Sequence, residues 1–147
     1  MQLSCFAVDS ANARMSGHLL ISGRSCDQIQ ALLVGAKLPS LVLAAKRSPL
    51  QAIHAALTQQ RQRSGSICTL HLMAHGRPGS FRMGDQWIDA EALKAHASEL
   101  AQWDLETIAL WSCHVGANAD FVALLEELTG ARVLASADWL GRDEINE

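Results

Sequence analysis

The stretch TLHLMAHGRPGS, residues 69–80, decides which fold we predict for this chain. It begins as an apolar run with the composition of a β-strand and ends abruptly at His75-Gly76, before a cluster of turn residues. The stretch IALWSCHVGAN, residues 108–118, has the same form, because an apolar run ends just before Cys113, a glycine and a helical pattern. In an open parallel sheet, ligands bind beyond the carboxyl ends of the strands. These two strand ends are therefore the first place to expect a site.

Strand and helix patterns alternate on both sides of these stretches. Apolar runs of strand length predict β-strands over 3–8, 40–45, 67–74, 107–111 and 132–136. Apolar residues at helical spacing predict helices over 26–36, from 49 onward, over 89–103 and over 116–128. This alternation is typical of βαβ units. We therefore predict an α/β fold, a three-layer α/β/α sandwich around a mostly parallel sheet.

Cap and turn residues mark where several of these elements begin and end. Ser48 followed by Pro49 predicts a helix start, with Ser48 as the N-cap. Asp89 is placed to cap the next helix, and Gly130 to end the last one. The alternating residues 81–88 predict a small β-hairpin inserted beside the first stretch.

Size and charge narrow the classes of function. We expect the 147 residues to form one domain over 1–147, with a loose polar tail at 141–147. A net charge of −3 without a Lys/Arg cluster argues against a nucleic-acid partner. No apolar stretch is long enough to span a bilayer, and the N-terminus lacks the features of a signal peptide. The default expectation is a cytoplasmic domain with no membrane span.

The 4 cysteines do not behave as one set. They include no CxxC pair, which argues against a disulfide framework in a chain that can build an adequate core. Cys5 and Cys68 lie in apolar, strand-like runs and are predicted to be small buried residues. Cys113 differs because it follows a strand end and precedes a glycine.

His75 and Cys113 are the candidate catalytic pair. Strands that are neighbours in a sheet lie about 5 Å apart, so the two side chains are expected to face each other across one crevice. A thiolate is a strong nucleophile, and a nearby imidazole can lower the thiol pKa or carry its proton. The backbone N–H groups of Gly76 and Cys113 are candidates for an oxyanion site, assisted by the dipole of the following helix. Such a dyad requires no cofactor.

Three stretches also carry a family resemblance. HLMAHGRPGSFRMG at 71–84 and IALWSCHVGA at 108–117 resemble the caspase-like superfamily of cysteine peptidases. In that superfamily the catalytic His precedes a Gly at the end of one strand, and the catalytic Cys ends the next. With LTGARVLASADWLG at 128–141, the chain resembles more closely a bacterial domain of unknown function found near the start of very large surface and repeat proteins.

The resemblance implies a caspase-like fold with His75 and Cys113 as the dyad, and a peptide or protein substrate that includes the chain itself in an autoprocessing enzyme. It also implies a secreted or cell-surface location reached without a signal peptide. Three positions depart from the family pattern: Ala74 stands where Ser is usual, Ser112 where Gly is usual, and His114 directly follows the cysteine.

The substrate-binding residues are expected at the same edge of the sheet. Asp9 and Asp138 follow predicted strands, and a carboxylate in a specificity pocket would favour an Arg or Lys side chain. The alternative is that both are turn residues that end strands. Trp139 could wall such a pocket, whereas we predict that Trp103 and Trp111 are core residues.

Two other classes of function stay open. His71, His75, Cys113 and His114 resemble metal ligands, but His71 and His75 would lie about 13 Å apart along a strand, too far for one ion. We therefore predict that no metal is bound, with a site formed by His75, Cys113 and a third ligand as the alternative. His71 itself is predicted to be a hydrogen-bonded strand residue. A binding or assembly module that keeps the caspase-like frame without catalysis is the main alternative to the peptidase.

Overall fold

The computed structural model describes residues 17–23, 40–43, 48–83 and 86–136. Its strands are β1 (His18–Gly23), β2 (Ser40–Leu43), β3 (Thr69–Met73), β4 (His75–Arg77), β5 (Ser80–Met83), β6 (Gln86–Ile88), β7 (Thr107–Trp111) and β8 (Arg132–Ala135). Its helices are α1 (Pro49–Ser64), α2 (Ala90–Ala95), α3 (Ala97–Leu100) and α4 (Ala119–Thr129), with a 3-10 turn at Val115–Ala117. The predicted strand at 3–8 and helix at 26–36 lie outside the described residues.

The main sheet has five strands in the order β2-β1-β3-β7-β8. Every neighbouring pair in it is parallel, and the register of β3 with β7 aligns Met73 with Trp111. A second sheet, β4-β5-β6, is antiparallel and follows β3 directly. The structure confirms the predicted α/β fold with its mostly parallel sheet, and the β5–β6 pairing confirms the predicted hairpin.

Strand β1 is absent from the sequence-based prediction. The run Leu19 to Ser22 is buried at every position, with exposures of 0, 2, 0 and 0 %. A strand covered on both faces has no alternation of apolar and polar residues to reveal it. The strand has only 6 residues, which is too short to be recognised without an alternating pattern.

One face of the main sheet forms the described core. Leu19, Leu70, Leu72 and Ile108 alternate along their strands and are 0–1 % exposed. They share one apolar cluster with side chains of α1 to α4, which lie on this face. The helix that would add a third layer on the opposite face is the one predicted over 26–36, so the second helical layer stays a prediction.

Helices α1 and α2 both begin at the predicted residues, but only α2 is capped by the side chain of its N-cap residue. Asp89 accepts a hydrogen bond from the N–H of Ala92 at 2.9 Å, as an N-cap does. Ser48 makes no side-chain cap, and the turn closes instead through its carbonyl, which accepts from the N–H of Ala52 at 3.0 Å. Pro49 at the first helical position supplies the fixed φ that starts α1.

The helix predicted over 89–103 is two short helices. The chain breaks at His96, whose φ of −113° is not helical, and α3 ends at Leu100. The imidazole of His96 lies 2.7 Å from the carboxylate of Glu99 and 3.4 Å from the hydroxyl of Ser48. These contacts hold the break against the start of α1.

Arg61 joins the end of α1 to the loop that leads into β7. Its guanidinium donates to the carbonyl oxygens of Ile67 at 3.3 Å, of Asp104 at 2.9 Å, and of Trp103. Burial lowers the pKa of Arg61, and the charge of Asp104 acts in the opposite direction. Arg61 thereby satisfies carbonyl oxygens around the fully buried Trp103.

Two further predictions concern membranes and thiols. Within the described ranges, no helix has the length and apolar character needed to cross a bilayer. Cys68 is disulfide-bonded, although the sequence argued against a disulfide framework. Cys68 lies directly before β3, packed against Gly17, and is half-buried rather than buried as predicted. Cys113 is free.

Candidate functional site at the ends of β3 and β7

Gly76 and Cys113 are in contact beyond the ends of two hydrogen-bonded strands. The N–H of Ala74 donates to the carbonyl of Trp111 at 3.3 Å, so the parallel pairing of β3 and β7 continues to their carboxyl ends. A Cβ added to Gly76 would collide with the carbonyl oxygen of Cys113, and would lie 2.8 Å from both Ser112 Cβ and Val115 Cγ2. Only glycine allows this approach of the two backbones. The segment carrying His75 is thereby fixed against the segment carrying Cys113.

The side chain of His75 belongs to the exposed face of the small sheet. Successive residues of a strand point to opposite faces, and the Cβ direction of Gly76 is toward Cys113. His75 and Arg77 therefore project from the other face, and both are exposed. The register places Arg82 opposite His75 and Trp87 opposite Arg82. This face, here called the ribbon face, consists of His75, Arg77, Ser80, Arg82 and Trp87.

Cys113 lies in a tight turn between β7 and the 3-10 turn. Its side chain is half-buried, as is that of the next residue, His114, which has left-handed backbone angles of φ 60° and ψ 0°. Val115 is fully buried beneath the turn. The N–H of Gly116 donates to the carbonyl of Ser136 at 2.8 Å, and this hydrogen bond connects the turn to the end of β8. The conformation around the thiol is thus fixed by neighbours on both sides.

Ser112 is buried beside the cysteine with an unsatisfied hydroxyl. It is 1 % exposed, and its Oγ has no hydrogen-bond partner among the described residues. A buried hydroxyl without a partner destabilises a fold, because it loses its hydrogen bonds to water. Ser112 is one of the departures from the family pattern, and its Cβ is among the atoms that exclude a side chain at Gly76.

The helix after Cys113 starts later than the sequence predicted. The predicted start was residue 116, but α4 begins at Ala119, after the 3-10 turn. Its N-cap is Asn118, whose side chain accepts from the N–H of Phe121 at 3.1 Å. A dipole effect falls off within about one turn, so the prediction that this helix acts directly on Cys113 is wrong. Gly130, with φ 75°, ends α4 as predicted.

The turn between β4 and β5 rests on the start of α4. Gly79 has φ 80°, a left-handed conformation that suits glycine in a tight turn. A Cβ at Gly79 would lie 2.7 Å from Nδ2 of Asn118. The small sheet is therefore held against the Cys113–Asn118 segment at two glycines, Gly76 and Gly79.

Arg77 makes two side-chain contacts on the ribbon face. Its Nε donates to the hydroxyl of Ser80 at 2.8 Å, and its Cζ lies 3.9 Å from the centre of the Trp87 ring. Ser80 is only 3 % exposed. Sequence reasoning treated Arg77 as a turn residue and Trp87 as part of a hairpin, and it missed their contact, which depends on the pairing of β4, β5 and β6.

A row of three hydrogen-bonded side chains, Trp111, His71 and His18, lies on the main sheet apart from the candidate dyad. The indole N–H of Trp111 donates to Nδ1 of His71 at 3.2 Å, and Nε2 of His71 lies 3.0 Å from Nδ1 of His18. An indole can only donate, so Nδ1 of His71 accepts and its single proton resides on Nε2. That proton is donated to His18, whose own proton is left on its Nε2. This confirms the prediction that His71 is a hydrogen-bonded strand residue.

Both histidines of this row favour the neutral form. Burial lowers the pKa of His18. Burial also lowers the pKa of His71, and the neighbouring His18 lowers it further. A proton added to Nδ1 of either ring would oppose a donor already pointing at it. The two hydrogen bonds of this row therefore form together only while both imidazole rings are uncharged.

The prediction that Trp111 is a core residue is wrong. Trp103 is 1 % exposed and is a core residue as predicted, but Trp111 is 44 % exposed. Leu134, on the neighbouring strand β8, is 47 % exposed. Together with Ala109, Ala135 and Ser136 they line an open groove of about 270 Å³ at this edge of the sheet.

The predicted substrate residues Asp9, Asp138 and Trp139 lie outside the described residues. In the part of the chain with described coordinates, no group of three or more His, Cys, Asp or Glu side chains could hold a metal ion. His71 belongs to the main sheet and His75 to the small antiparallel sheet.

Comparisons with known proteins give one match. The model of the family described as "Domain of unknown function (DUF4347)" matches residues 19–146. No curated protein and no solved structure matches the chain. The family match spans β1 to β8 and both stretches that form the Gly76–Cys113 contact. The chain therefore belongs to the DUF4347 family of domains of unknown function.

Proposed function

We propose that this domain is a caspase-like cysteine peptidase with Cys113 as nucleophile and His75 as general base and acid. The observation that carries the proposal is the contact of Gly76 with Cys113 beyond the adjacent ends of β3 and β7. It brings the two segments to one edge of the sheet. The His75 side chain itself projects from the face of β4 opposite the Gly76–Cys113 contact, so the proposed proton transfer requires its imidazole to rotate toward the thiol. The family resemblance implies the same two residues.

The chemistry follows from the two groups. His75 takes the proton of the Cys113 thiol, and the thiolate attacks the carbonyl carbon of the peptide bond. The backbone N–H groups of Gly76 and Cys113 are the proposed donors to the oxyanion that forms. The protonated imidazole gives its proton to the leaving amine, which leaves a thioester on Cys113. Water then hydrolyses the thioester and restores the thiol.

The test is the alkylation rate of Cys113 as a function of pH, read by peptide mass so that the four cysteines are distinguished. The native chain is compared with His75→Ala and with His114→Ala, a half-buried histidine adjacent to the thiol. The proposal expects an apparent thiol pKa well below the free value of about 8.5. Only His75→Ala should slow the reaction at neutral pH.

One observation favours a non-catalytic module as the second candidate. Trp111 and Leu134 expose large apolar surfaces beside an open groove, which is a feature of binding surfaces. If Cys113 reacts like a model thiol, and His75→Ala changes nothing, the module is the better explanation. An autoprocessing enzyme would instead show an activated Cys113 and a product of lower mass from its own chain.

A further inference from the structure

The hydrogen-bonded row of Trp111, His71 and His18 lies on the face of the main sheet opposite helices α1 to α4. Leu72 and Leu110, the strand neighbours of His71 and Trp111, belong to the core, and successive residues of a strand point to opposite faces. The rings form one layer, because neighbouring ring planes in the row are inclined by only 22°. Trp111 is the exposed end of this layer and lines the groove at the edge of the sheet. A change at the histidines can therefore reach the surface.

His71 holds the indole of Trp111 only through an unprotonated nitrogen. Its Nδ1 accepts from the indole N–H, and its Nε2–H donates to Nδ1 of His18. An imidazole that gains a proton donates at both ring nitrogens. Nδ1 of His71 would then carry a hydrogen that faces the indole N–H, and the hydrogen bond to Trp111 would be lost.

One proton on the two histidines has the same effect whichever ring carries it. If His71 carries the proton, its Nε2–H still donates to His18, and its Nδ1–H opposes the indole. If His18 carries it, Nδ1–H of His18 donates to Nε2 of His71, whose own proton then resides on Nδ1 and again opposes the indole. A charge-assisted hydrogen bond is roughly twice as strong as a neutral one. The two histidines therefore keep their mutual hydrogen bond, and the hydrogen bond to Trp111 is the one that breaks.

The charged groups around the row also favour release of the indole. Val133 belongs to the core, so Arg132 projects from the same face as the row, and the described strands of the main sheet contain no Asp or Glu. The titratable and charged side chains that these strands place on this face are therefore His18, His71 and Arg132, all of them basic. Burial, and then the charge of His18, lowers the pKa of His71. Movement of the indole away from a charged His71 would let water reach that ring, which lowers the cost of the charge.

We propose that His71 and His18 form a pH-sensitive switch that holds or releases the side chain of Trp111. At neutral pH, His71 fixes the indole in the wall of the groove. One proton on the two histidines releases the indole and changes the shape of the groove. The backbone stays in place, because the carbonyl of Trp111 accepts from the N–H of Ala74 in the pairing of β3 with β7. The switch does not depend on Cys113 or on the proposed peptidase activity.

The first measurement is a pH titration of the indole and imidazole groups of the full chain by NMR, with nitrogen-15 labelling. Long-range proton–nitrogen spectra identify which ring nitrogen of each histidine carries the proton. We expect His71 to carry its proton on Nε2 at pH 8. Between pH 8 and pH 5.5, the indole resonance of Trp111, assigned through Trp111→Phe, should shift with the same midpoint as His71. The indole resonance of Trp103, which is 1 % exposed, should stay unchanged and so report an intact fold.

Two variants test whether His71 is the cause. His71→Gln offers the indole an acceptor that cannot take up a proton, so the Trp111 resonance should become independent of pH. His54→Gln, a histidine of α1 outside the row, should leave the titration as in the native chain. Acrylamide quenching of Trp111 fluorescence, taken as the difference between a chain and its Trp111→Phe form, gives a second readout. Quenching should rise toward that of free tryptophan at pH 5.5 in the native chain and stay constant in His71→Gln.

Three results would overturn the switch. A Trp111 indole resonance that stays fixed while His71 titrates, or that shifts equally in His71→Gln, would show that the histidine does not control the indole. A proton on Nδ1 of His71 at pH 8 would remove the acceptor on which the switch depends. A shift of Trp103 together with Trp111 would show that acid opens the whole fold, which excludes a local switch.

Discussion

The indole N–H of Trp111 donates to Nδ1 of His71 across the pairing of β7 with β3, at 3.2 Å. Because the indole N–H can only donate, the proton of His71 resides on Nε2. His71 donates that proton to Nδ1 of His18, so the proton of His18 resides on its own Nε2. A row of three side chains on three strands therefore has one protonation state. The resulting pH dependence is the first testable consequence.

The free energy of unfolding should fall as the pH drops below about 6.5, the ordinary histidine pKa. The pKa values of His18 and His71 are lowered in the folded chain, so below that pH the unfolded chain binds protons that the folded chain resists. The stabilisation is complete above the unfolded pKa and is lost as the pH falls toward the folded pKa. Urea unfolding between pH 8 and pH 5.5 measures this slope.

A double substitution provides the control for this row. His18→Leu with His71→Leu should flatten the slope, whereas His54→Gln, a helix histidine outside the row, should leave it as in the native chain. A slope that is identical in the double variant and the native chain would mean that the row is not the source of the pH dependence.

Gly76→Ala should destabilise the fold and change the reactivity of Cys113 together. The added Cβ would collide with the Cys113 carbonyl, and overpacking of this kind costs about 1–3 kcal/mol. Gly130→Ala is the matched control, because it carries backbone strain at φ 75° but meets nothing within 4 Å. Urea unfolding and Cys113 alkylation are measured in both. If both variants left the alkylation rate unchanged, the Gly76 contact would not control the thiol.

Ser112→Ala is expected to be neutral or stabilising by up to about 1 kcal/mol, because it removes a buried hydroxyl that lacks a partner. Ser80→Ala is the contrasting change at a serine of similar burial. It removes the acceptor for Arg77 and should cost about 1 kcal/mol. Thermal unfolding of the two variants measures the difference, and equal losses would show that Ser112 has a partner in solution.

Arg61→Met should destabilise the domain by about 2–4 kcal/mol, since it leaves carbonyl oxygens of Ile67, Trp103 and Asp104 without their charged donor. Arg63→Met, two residues along α1 and exposed, should change stability by less than about 0.5 kcal/mol. Chemical denaturation of both variants checks this. A small loss at Arg61 would mean that water replaces the guanidinium at these carbonyls.

Much of the framework was readable from local patterns. The strand over 107–111 matched its predicted limits, and Asp89 and Gly130 marked helix limits through their own backbone and side-chain preferences. These features depend on residues within a few positions of one another. The break at His96 was missed because it depends on contacts with Ser48, far along the chain.

The candidate site likewise has features that the local sequence reveals and features that depend on strand pairing. His75, Gly76 and Cys113 could be named from the sequence, since strand ends followed by glycine have a local signature. The contact of Arg77 with Trp87, the row from Trp111 to His18 and the exposure of Trp111 could not, because each depends on strand order and register. A sequence records which side chains alternate, but it does not say which strands become neighbours.

The sequence by itself therefore determined the α/β class, the edge of the sheet where chemistry is expected, and the two residues proposed to perform it. Periodicity and turn chemistry are short-range properties, and they suffice for these conclusions. Only the tertiary structure decided that β1 lies between β2 and β3 in the sheet, that Gly76 meets Cys113, and that Arg77, in contact with Ser80, faces the same side as His75. Each of these depends on non-local pairing, in which residues far apart in the chain exclude water and fix one another's position.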